Sequence, residues 1–255
     1  MNGVITIALN EEKYYHWTEI LFKSILLYTD IEFCLVYDNT EWFTKYNLDK
    51  IVKYPIHKSD IQNPYLFKYE LIEYTPFDNT IFLDSDTIIF KDITPLFSEQ
   101  FLCICADYSN GYVYNLFSFI PNPSSIIKKL GLKKLYSAYS GYLRFEKTNF
   151  YKKLFRTILD NVHYDKNIHT LYNRNVMPDE YFLNISISDL VLEKFIPIQL
   201  FHIDEIQTNM YGYSYQGEST IENKIVLNYI KNTLESLNMV LKINNTNIQY
   251  KSNLI

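Results

Sequence analysis

Short apolar runs alternate with amphipathic stretches along the first half of the chain. Apolar, β-branched runs at 4–10, 33–39 and 51–56 predict buried β-strands. Apolar positions recur at helical spacing over 14–28 and, more briefly, over 41–48, so each of these stretches is predicted to form a helix. Strands that alternate with helices favour an α/β fold, in which a mostly parallel sheet is flanked by helices.

The second half of the chain is less regular. The remaining predicted elements are helices at 63–74, 149–161, 180–183 and 223–242 and strands at 101–108, 139–147 and 195–202. We predict one catalytic domain over 1–205, followed over 206–255 by a lid-like loop and a C-terminal helix that pack on the same domain. The last helix is amphipathic, and two roles stay open for it: covering the core, or contacting a second protomer in an oligomer.

Two aspartates interrupt an apolar segment, NTIFLDSDTIIF at 79–90. Asp84 and Asp86 are flanked by Ile, Phe and Leu, and two bare carboxylates buried in such a run would cost several kcal/mol. A divalent cation of the Mg²⁺ or Mn²⁺ type would offset that cost, because it binds carboxylate oxygens together with substrate phosphates. Since ligands of parallel α/β sheets bind where strands end, we predict a metal and phosphate site here.

Other uses of paired acids fit this segment less well. Phosphatases of the haloacid-dehalogenase class also carry Asp-x-Asp after an apolar strand, but their threonine lies four residues after the first aspartate, where this chain has Ile88. A calcium loop of the EF-hand kind needs further acids at alternate positions and a glycine, which this segment lacks. The plainest alternative, solvated turn residues at the end of a strand, stays open.

Composition and charge narrow the class of ligand. The chain has 255 residues, of which 47% are hydrophobic, and its formal net charge of -5 gives no basic surface for nucleic acid. A phosphate ligand therefore needs a local cation, either a metal or a few placed lysines and arginines. The 24 tyrosines suit stacking on sugars and bases, although such rings are also ordinary packing residues at a protein surface.

The cysteines and the N-terminus indicate the cellular compartment in which the protein is expected. Three cysteines are present, Cys34, Cys103 and Cys105, each within an apolar run. Their odd number, and an N-terminus that resembles a first strand more than a secretory signal, predict reduced thiols and a cytoplasmic protein. No stretch approaches the roughly 18 apolar residues of a membrane-spanning helix.

Segments in order along the chain carry a family resemblance. The longest is FKYELIEYTPFDNTIFLDSDTIIFKDITPLF, which contains the paired acids. The others are VITIALN, CICADY, YSGYLRFEK, MPDEYFLN and FHID. Together they resemble GT-A glycosyltransferases, and among them the glycogenin-like and bacterial galactosyl- and glucosyltransferase group. The resemblance spans roughly residues 1–205 and implies a GT-A fold, a mixed, mostly parallel sheet flanked by helices.

The resemblance also implies roles for individual residues. Asp84, Asp86 and His202 would bind Mn²⁺ or Mg²⁺. A nucleotide-sugar donor, above all a UDP-hexose, would lie against Leu9, Asn10, Tyr14, Lys68, Ser85, Ser140 and Gly141. Within that set, the first three would line the base or ribose, the lysine would approach a phosphate, and the Ser-Gly pair would border the sugar. Asp179 and Glu180 would lie beside the reacting carbon as catalytic residues.

The chain departs from the family pattern at three places. Glu180 stands where the family has Gln, and Tyr139 stands where it has Asn. The family's Gly-x-x-Lys-Pro-Trp segment has no counterpart after His202. The missing segment concerns the contact with the donor phosphate and the third metal ligand, His202.

The function implied is transfer of a hexose from a nucleotide-sugar to a hydroxyl of a sugar, glycan or protein acceptor. The glycogenin-like resemblance favours retention of configuration. Two other functions stay open: a non-catalytic carbohydrate- or protein-binding module on the same fold, and a nucleotidyltransferase that activates a sugar phosphate. The second would need a Gly-rich loop after the first strand, and ALNEEKYY has no glycine.

Overall fold

The structure of the protein is a computed structural model. It describes residues 1–98, 103–105, 127–129, 131–132, 138–164, 179–192, 212–214 and 224–239. The chain divides into two compact units, of which the first comprises Met1–Asp60, Phe82–Ser98 and Asn209–Ile255, and the second comprises Ile61–Ile81 and Glu99–Thr208. The predicted boundary between a catalytic domain at 1–205 and an appendage at 206–255 stays a prediction.

A parallel sheet forms the centre of the first unit. Strand β2 (Glu32–Tyr37) lies between β1 (Asn2–Ala8) and β3 (Tyr54–His57) and is parallel to both. The side chains of β2 from its second residue onward are buried, as expected for a parallel strand covered on both faces. Burial also raises the pKa of the Cys34 thiol to about 12, so that this cysteine is a free, unreactive thiol.

Strand β4 (Asn79–Leu83) is the other neighbour of β1. In the first unit, the hydroxyl of Thr6 on β1 donates to the carbonyl of Leu83 at 2.6 Å. Leu83 is the last residue of β4, so this bond joins β1 to the point where β4 ends. The acidic pair follows immediately along the chain.

Two helices of the first unit connect its parallel strands. Helix α1 (Glu12–Leu26) packs against β1, and its buried Phe22 stacks on Phe33 of β2 with ring centroids 4.3 Å apart. Helix α2 (Thr40–Lys45) follows β2, and a short 3-10 helix (Leu48–Lys50) leads toward β3. The helices predicted at 14–28 and 41–48 are therefore present, with ends displaced by a few residues, as is usual where helices fray.

The first unit contains a second, smaller sheet. Strand β5 (Thr87–Ile89) is followed by a 3-10 helix (Thr94–Phe97) and pairs antiparallel with a strand near the C-terminus, Gly212–Ser214. The C-terminal helix (Lys224–Ser236) buries Ile230, Thr233 and Leu234, which lie on one helical face. Its Tyr229 stacks on Phe90, with ring centroids 5.2 Å apart.

The second unit is described in parts. Its strands are the first residues of β4, β6 (Cys103–Cys105) and β7 (Ala138–Glu146), and its helices are α3 (Pro64–Phe67), α4 (Leu71–Tyr74), α5 (Asn149–Tyr164) and α6 (Asp179–Leu192). Strand β7 lies between β4 and β6 and is antiparallel to β6. Helix α6 contacts both α5 and β7. The strand predicted at 195–202 lies outside the described residues.

One predicted helix, at 63–74, is replaced by two four-residue helices, α3 and α4. Between them the backbone makes tighter bonds three residues apart, such as Tyr69 N–H to Leu66 C=O at 3.0 Å. Phe67, Lys68 and Tyr69 are consecutive and all buried. The tighter bonds at this point divide the predicted helix into two.

The predicted fold class is confirmed: a mixed sheet, parallel among β1–β3 and antiparallel between β6 and β7, is flanked by helices. Among the described residues, no helix is long and apolar enough to cross a membrane. The cytoplasmic location and the oligomer through the C-terminal helix stay predictions.

Replacing Asn39 by alanine is expected to destabilise the protein by about 1 kcal/mol. The Asn39 side chain caps α2 by accepting the Trp42 N–H at 3.0 Å, and alanine would leave that amide without its acceptor. Urea unfolding measures the change. Asn39→Ser keeps a capping oxygen and should stay close to wild type, so equal losses in both variants would contradict the capping role.

Candidate functional site

The paired acids lie in a turn between β4 and β5. The turn is closed by the Thr87 N–H, which donates to the Asp84 carbonyl at 3.0 Å. Asp84 and Asp86 are half-buried, whereas Ser85 between them is buried. The apolar segment at 79–90 is therefore two strands joined by an acidic turn. Because the two carboxylates are partly exposed, the free-energy cost of their charges is lower than it would be if they were fully buried.

This turn fits a divalent cation of the Mg²⁺ or Mn²⁺ type in its donor chemistry. Such ions bind through one or two carboxylates, keep several waters and take further oxygens from substrate phosphates. Within the part of the chain that the structure describes, no group of three or more His, Cys, Asp or Glu side chains forms a complete protein cage. The predicted third ligand, His202, lies outside the described residues.

The ends of β1 and β2 lie side by side in the first unit. The register pairs Ala8 with Tyr37, the last residues of the two strands, so Asn10 and Asp38 follow at the same edge of the sheet. The Asn10 N–H donates to Asp38 Oδ2 at 2.8 Å. Of the residues predicted to line a base or ribose, Leu9 is buried and Asn10 is exposed. Leu9 is thus packed beside this turn and Asn10 is open to solvent, and the contacts of both with a base or ribose stay predictions.

Tyr14 lies on the first turns of α1, near the same strand ends. Its half-buried ring packs edge-on against Trp17, with centroids 5.4 Å apart. The ammonium group of Lys13 lies 5.1 Å from the Tyr14 centroid. An aromatic ring that is partly exposed beside a cation suits stacking with a base, and the contact of Tyr14 with a base stays a prediction.

Two residues that sequence reasoning did not select as site residues hold this edge together. The Tyr15 hydroxyl donates to Asp38 Oδ1 at 2.6 Å and accepts the N–H groups of Asp38 and Asn39 at 3.0 and 2.7 Å. Burial, and next the hydrogen bond to the Asp38 carboxylate, raise the pKa of Tyr15, so its phenol stays neutral and keeps its proton to donate. The position of Asp38 at a strand end was the available signal.

In the second unit, three predicted site residues form a buried cluster. Lys68 Nζ lies 2.7 Å from Asp179 Oδ2 and 3.1 Å from Ser140 Oγ, and the Ser140 hydroxyl donates to Asp179 Oδ2 at 2.6 Å. Lys68 and Asp179 are each 5% exposed and Ser140 is fully buried. Lys68 is thus not an exposed helix lysine, and its charge is neutralised within the cluster.

The cluster ties together elements that are distant in sequence. Lys68 follows α3, Ser140 lies in β7, and Asp179 is the first residue of α6. The Tyr69 hydroxyl also donates to the Asp179 carbonyl, at 3.2 Å. Gly141 follows Ser140 in β7 and is buried. Glu180 follows Asp179 in α6, but its side chain lies outside the described residues.

Comparison with known proteins identifies the fold. No family model and no curated protein sequence matches the chain. A glutamine-to-glutamate active-site mutant of LgtC aligns with a TM-score of 0.51 at 17% identity, over 74% of this chain and 70% of that one. The galactosyltransferase LgtC in complex with donor and acceptor sugar analogues aligns with a TM-score of 0.47 at 16% identity, over the same shares.

The glycosyltransferase GlyE of Streptococcus pneumoniae TIGR4 aligns with a TM-score of 0.48 at 16% identity, over 74% of this chain, which spans 44% of GlyE. At such low sequence identities, structural similarity is evidence for the fold alone. That evidence is the alignment with the LgtC mutant. The likeness agrees with the strand arrangement described above. The chain therefore has the GT-A fold of glycosyltransferases.

Proposed function

We propose that the protein is a glycosyltransferase that moves a hexose from a nucleotide-sugar, UDP-hexose above all, to an acceptor hydroxyl with the help of Mn²⁺ or Mg²⁺. The observation that carries the proposal is the acidic turn of Asp84, Ser85 and Asp86. This turn begins where β4 ends, beside β1. Asn10, which is exposed, follows the end of β1. In a sheet of this kind, ligands bind where the strands end.

Each part of the first unit would have a separate task. The two carboxylates would hold the cation, which when bound supplies positive charge to the diphosphate leaving group. Asn10 and the Tyr14 ring would contact the base and ribose. Ser85 would lie against the donor with the acids on either side of it. His202 belongs to the second unit, and its role as a third metal ligand stays a prediction.

The buried cluster of the second unit bears on the stereochemical outcome. Inversion needs a carboxylate base that takes the proton of the acceptor hydroxyl, and Asp179 and Glu180 are the candidates. Asp179 Oδ2 is already held by the Lys68 ammonium group and by Ser140, which leaves it little freedom for that task. Retention, in which the leaving phosphate takes the proton, needs no such base and is the outcome that the family resemblance favours. The roles of Lys68, Ser140 and Gly141 toward a phosphate and a sugar stay predictions.

The start of α1 argues against a nucleotidyltransferase. Enzymes that bind a triphosphate use the N-terminal amides of a helix, whose positive end attracts anions. Here Glu11 is the N-cap residue and Glu12 opens the first turn of the helix. Each glutamate pairs with a lysine, Glu11 with Lys13 at 2.9 Å and Glu12 with Lys45, so the side chains at this helix end offer a triphosphate no net positive charge.

The proposal predicts that Mn²⁺ and UDP-sugars raise the melting temperature of the protein together. A ligand that binds only the native state stabilises it by about 2.7 kcal/mol at 100 times its Kd, which for a chain of this size corresponds to a shift of roughly 5–10 °C. Thermal unfolding would be recorded with UDP, UDP-glucose, UDP-galactose and ATP, each with and without Mn²⁺. A shift with ATP alone, or none with any UDP compound, would contradict the proposal.

A further inference from the structure

Asn10 occupies an unfavourable backbone conformation. Its φ is 70°, in the left-handed region that costs most residues about 1–2 kcal/mol and that asparagine tolerates better than most. The Glu11 N–H donates back to the Leu9 carbonyl at 2.9 Å, which closes a three-residue γ-turn around Asn10. Turns of this kind with positive φ are rare and strained. Strained backbone persists only where surrounding contacts hold it, and it concentrates at functional sites.

The contacts that hold this turn come from Asp38 and Tyr15. Asp38 Oδ2 accepts the Asn10 N–H, and Asp38 Oδ1 accepts the Tyr15 hydroxyl. Both carboxylate oxygens are therefore engaged, one with the strained turn and one with a phenol that is fully buried. The phenol in turn binds the N–H groups of Asp38 and Asn39, which fixes the carboxylate against its own backbone. We call the pair of Tyr15 and Asp38 the clamp.

We propose that the clamp is a positioning device for nucleotide recognition: Tyr15 and Asp38 touch no ligand, but hold the turn at Asn10 in the conformation that binds the base and ribose of a uridine diphosphate. This inference rests on the proposed function. Because Asp38 takes up the Asn10 N–H, recognition falls to the Asn10 side chain and carbonyl. A side-chain amide both donates and accepts, which complements the donor and acceptor groups of a uracil edge.

Two substitutions disrupt the hydrogen bonds of the clamp, and each removes a different set of them. Tyr15→Phe removes the hydroxyl and deprives two backbone N–H groups of their acceptor. Asp38→Asn keeps the shape of the side chain but cannot offer a carboxylate oxygen to both Tyr15 and Asn10. A matched control is Tyr54→Phe, which removes a phenol that donates to Glu32 Oε2 at 3.0 Å. Glu32 is the first residue of β2, so that phenol lies at the other end of the strand.

Isothermal titration of each protein with UDP in the presence of Mn²⁺ tests the inference. We expect Tyr15→Phe and Asp38→Asn each to raise the Kd about tenfold with the binding stoichiometry unchanged, as loss of one well-placed hydrogen bond would. Tyr54→Phe should bind like wild type. A role in folding alone would raise the apparent Kd only in proportion to the lost native fraction, which thermal unfolding of each variant measures, and the Kd corrected for that fraction would stay at the wild-type value.

The outcomes separate this inference from the proposed function. If wild type binds UDP and both clamp variants bind it with the wild-type Kd, the clamp has no positioning role and the proposed function stands. If wild type binds no UDP, the proposed function fails and the inference fails with it. The two tryptophans provide a second readout, because Trp42 packs edge-on against Tyr15 at 5.5 Å and Trp17 against Tyr14 at 5.4 Å. An unchanged emission spectrum in Tyr15→Phe and Asp38→Asn would show that their native packing survives.

Discussion

Replacing Asp86 by asparagine is expected to lower Mn²⁺-dependent hydrolysis of UDP-glucose at least about 100-fold, which corresponds to about 3 kcal/mol of transition-state stabilisation. Asparagine has nearly the same shape as aspartate, so the turn between β4 and β5 should persist. What is lost is one of two carboxylate charges that would hold the cation. Wild type treated with a chelator should fall to the level of the variant.

A nearby acid provides the control for this substitution. Asp92 is exposed, lies outside the acidic turn and accepts the Thr94 N–H at 2.8 Å, a bond that asparagine can also make. Asp92→Asn is therefore expected to keep the wild-type rate within about twofold, since an exposed charge away from the site contributes little. Equal rates in wild type and Asp86→Asn would remove the metal role from the turn. No hydrolysis in wild type would favour the non-catalytic binding module.

Replacing Lys68 by methionine is expected to destabilise the protein by about 3–5 kcal/mol, because it leaves the buried Asp179 carboxylate without its cation. The two charged groups are 2.7 Å apart and each is 5% exposed, so water cannot take the place of the lysine. For a chain of this length the loss corresponds to a fall in melting temperature of roughly 10 °C. Thermal and urea unfolding measure it.

The same substitution in an exposed ion pair gives the matched control. Lys45 pairs with Glu12, and their side chains are 57% and 40% exposed. Lys45→Met should cost no more than about 1 kcal/mol. Adding Asp179→Asn to Lys68→Met should restore part of the lost stability, because it removes the buried carboxylate charge that Lys68 no longer balances. If Lys68→Met costs no more than Lys45→Met, the buried pair does not stabilise the second unit.

The strands and the acidic turn could be predicted from the sequence because their signals are local. A parallel strand buried on both faces appears as a continuous apolar run, as in β2, and a break in such a run marks where a strand ends. Asp84 and Asp86 stand at a break of this kind. The pattern did not show that the segment forms two strands, because the pairing of β5 with Gly212–Ser214 depends on residues far along the chain.

The contacts within the site could not be predicted from the sequence. Lys68 and Ser140 are 72 positions apart, and Ser140 and Asp179 are 39 apart, so no periodicity joins them. Each was predicted as a site residue by resemblance alone. Only the folded chain shows that the charges of Lys68 and Asp179 neutralise each other and that Ser140 binds both. Tyr15 was missed because it is one of 24 tyrosines, and nothing in the sequence marks it as the one whose hydroxyl binds Asp38.

The most direct measurement is a crystal structure of the protein grown with Mn²⁺ and UDP, with anomalous data collected for manganese. We expect an anomalous peak about 2.0–2.2 Å from carboxylate oxygens of the turn at Asp84 and Asp86, shared with the diphosphate of UDP. We also expect the uracil to lie against Asn10 and Tyr14. A structure in which both carboxylates face bulk water, with manganese and UDP bound elsewhere, would contradict the metal role of this turn.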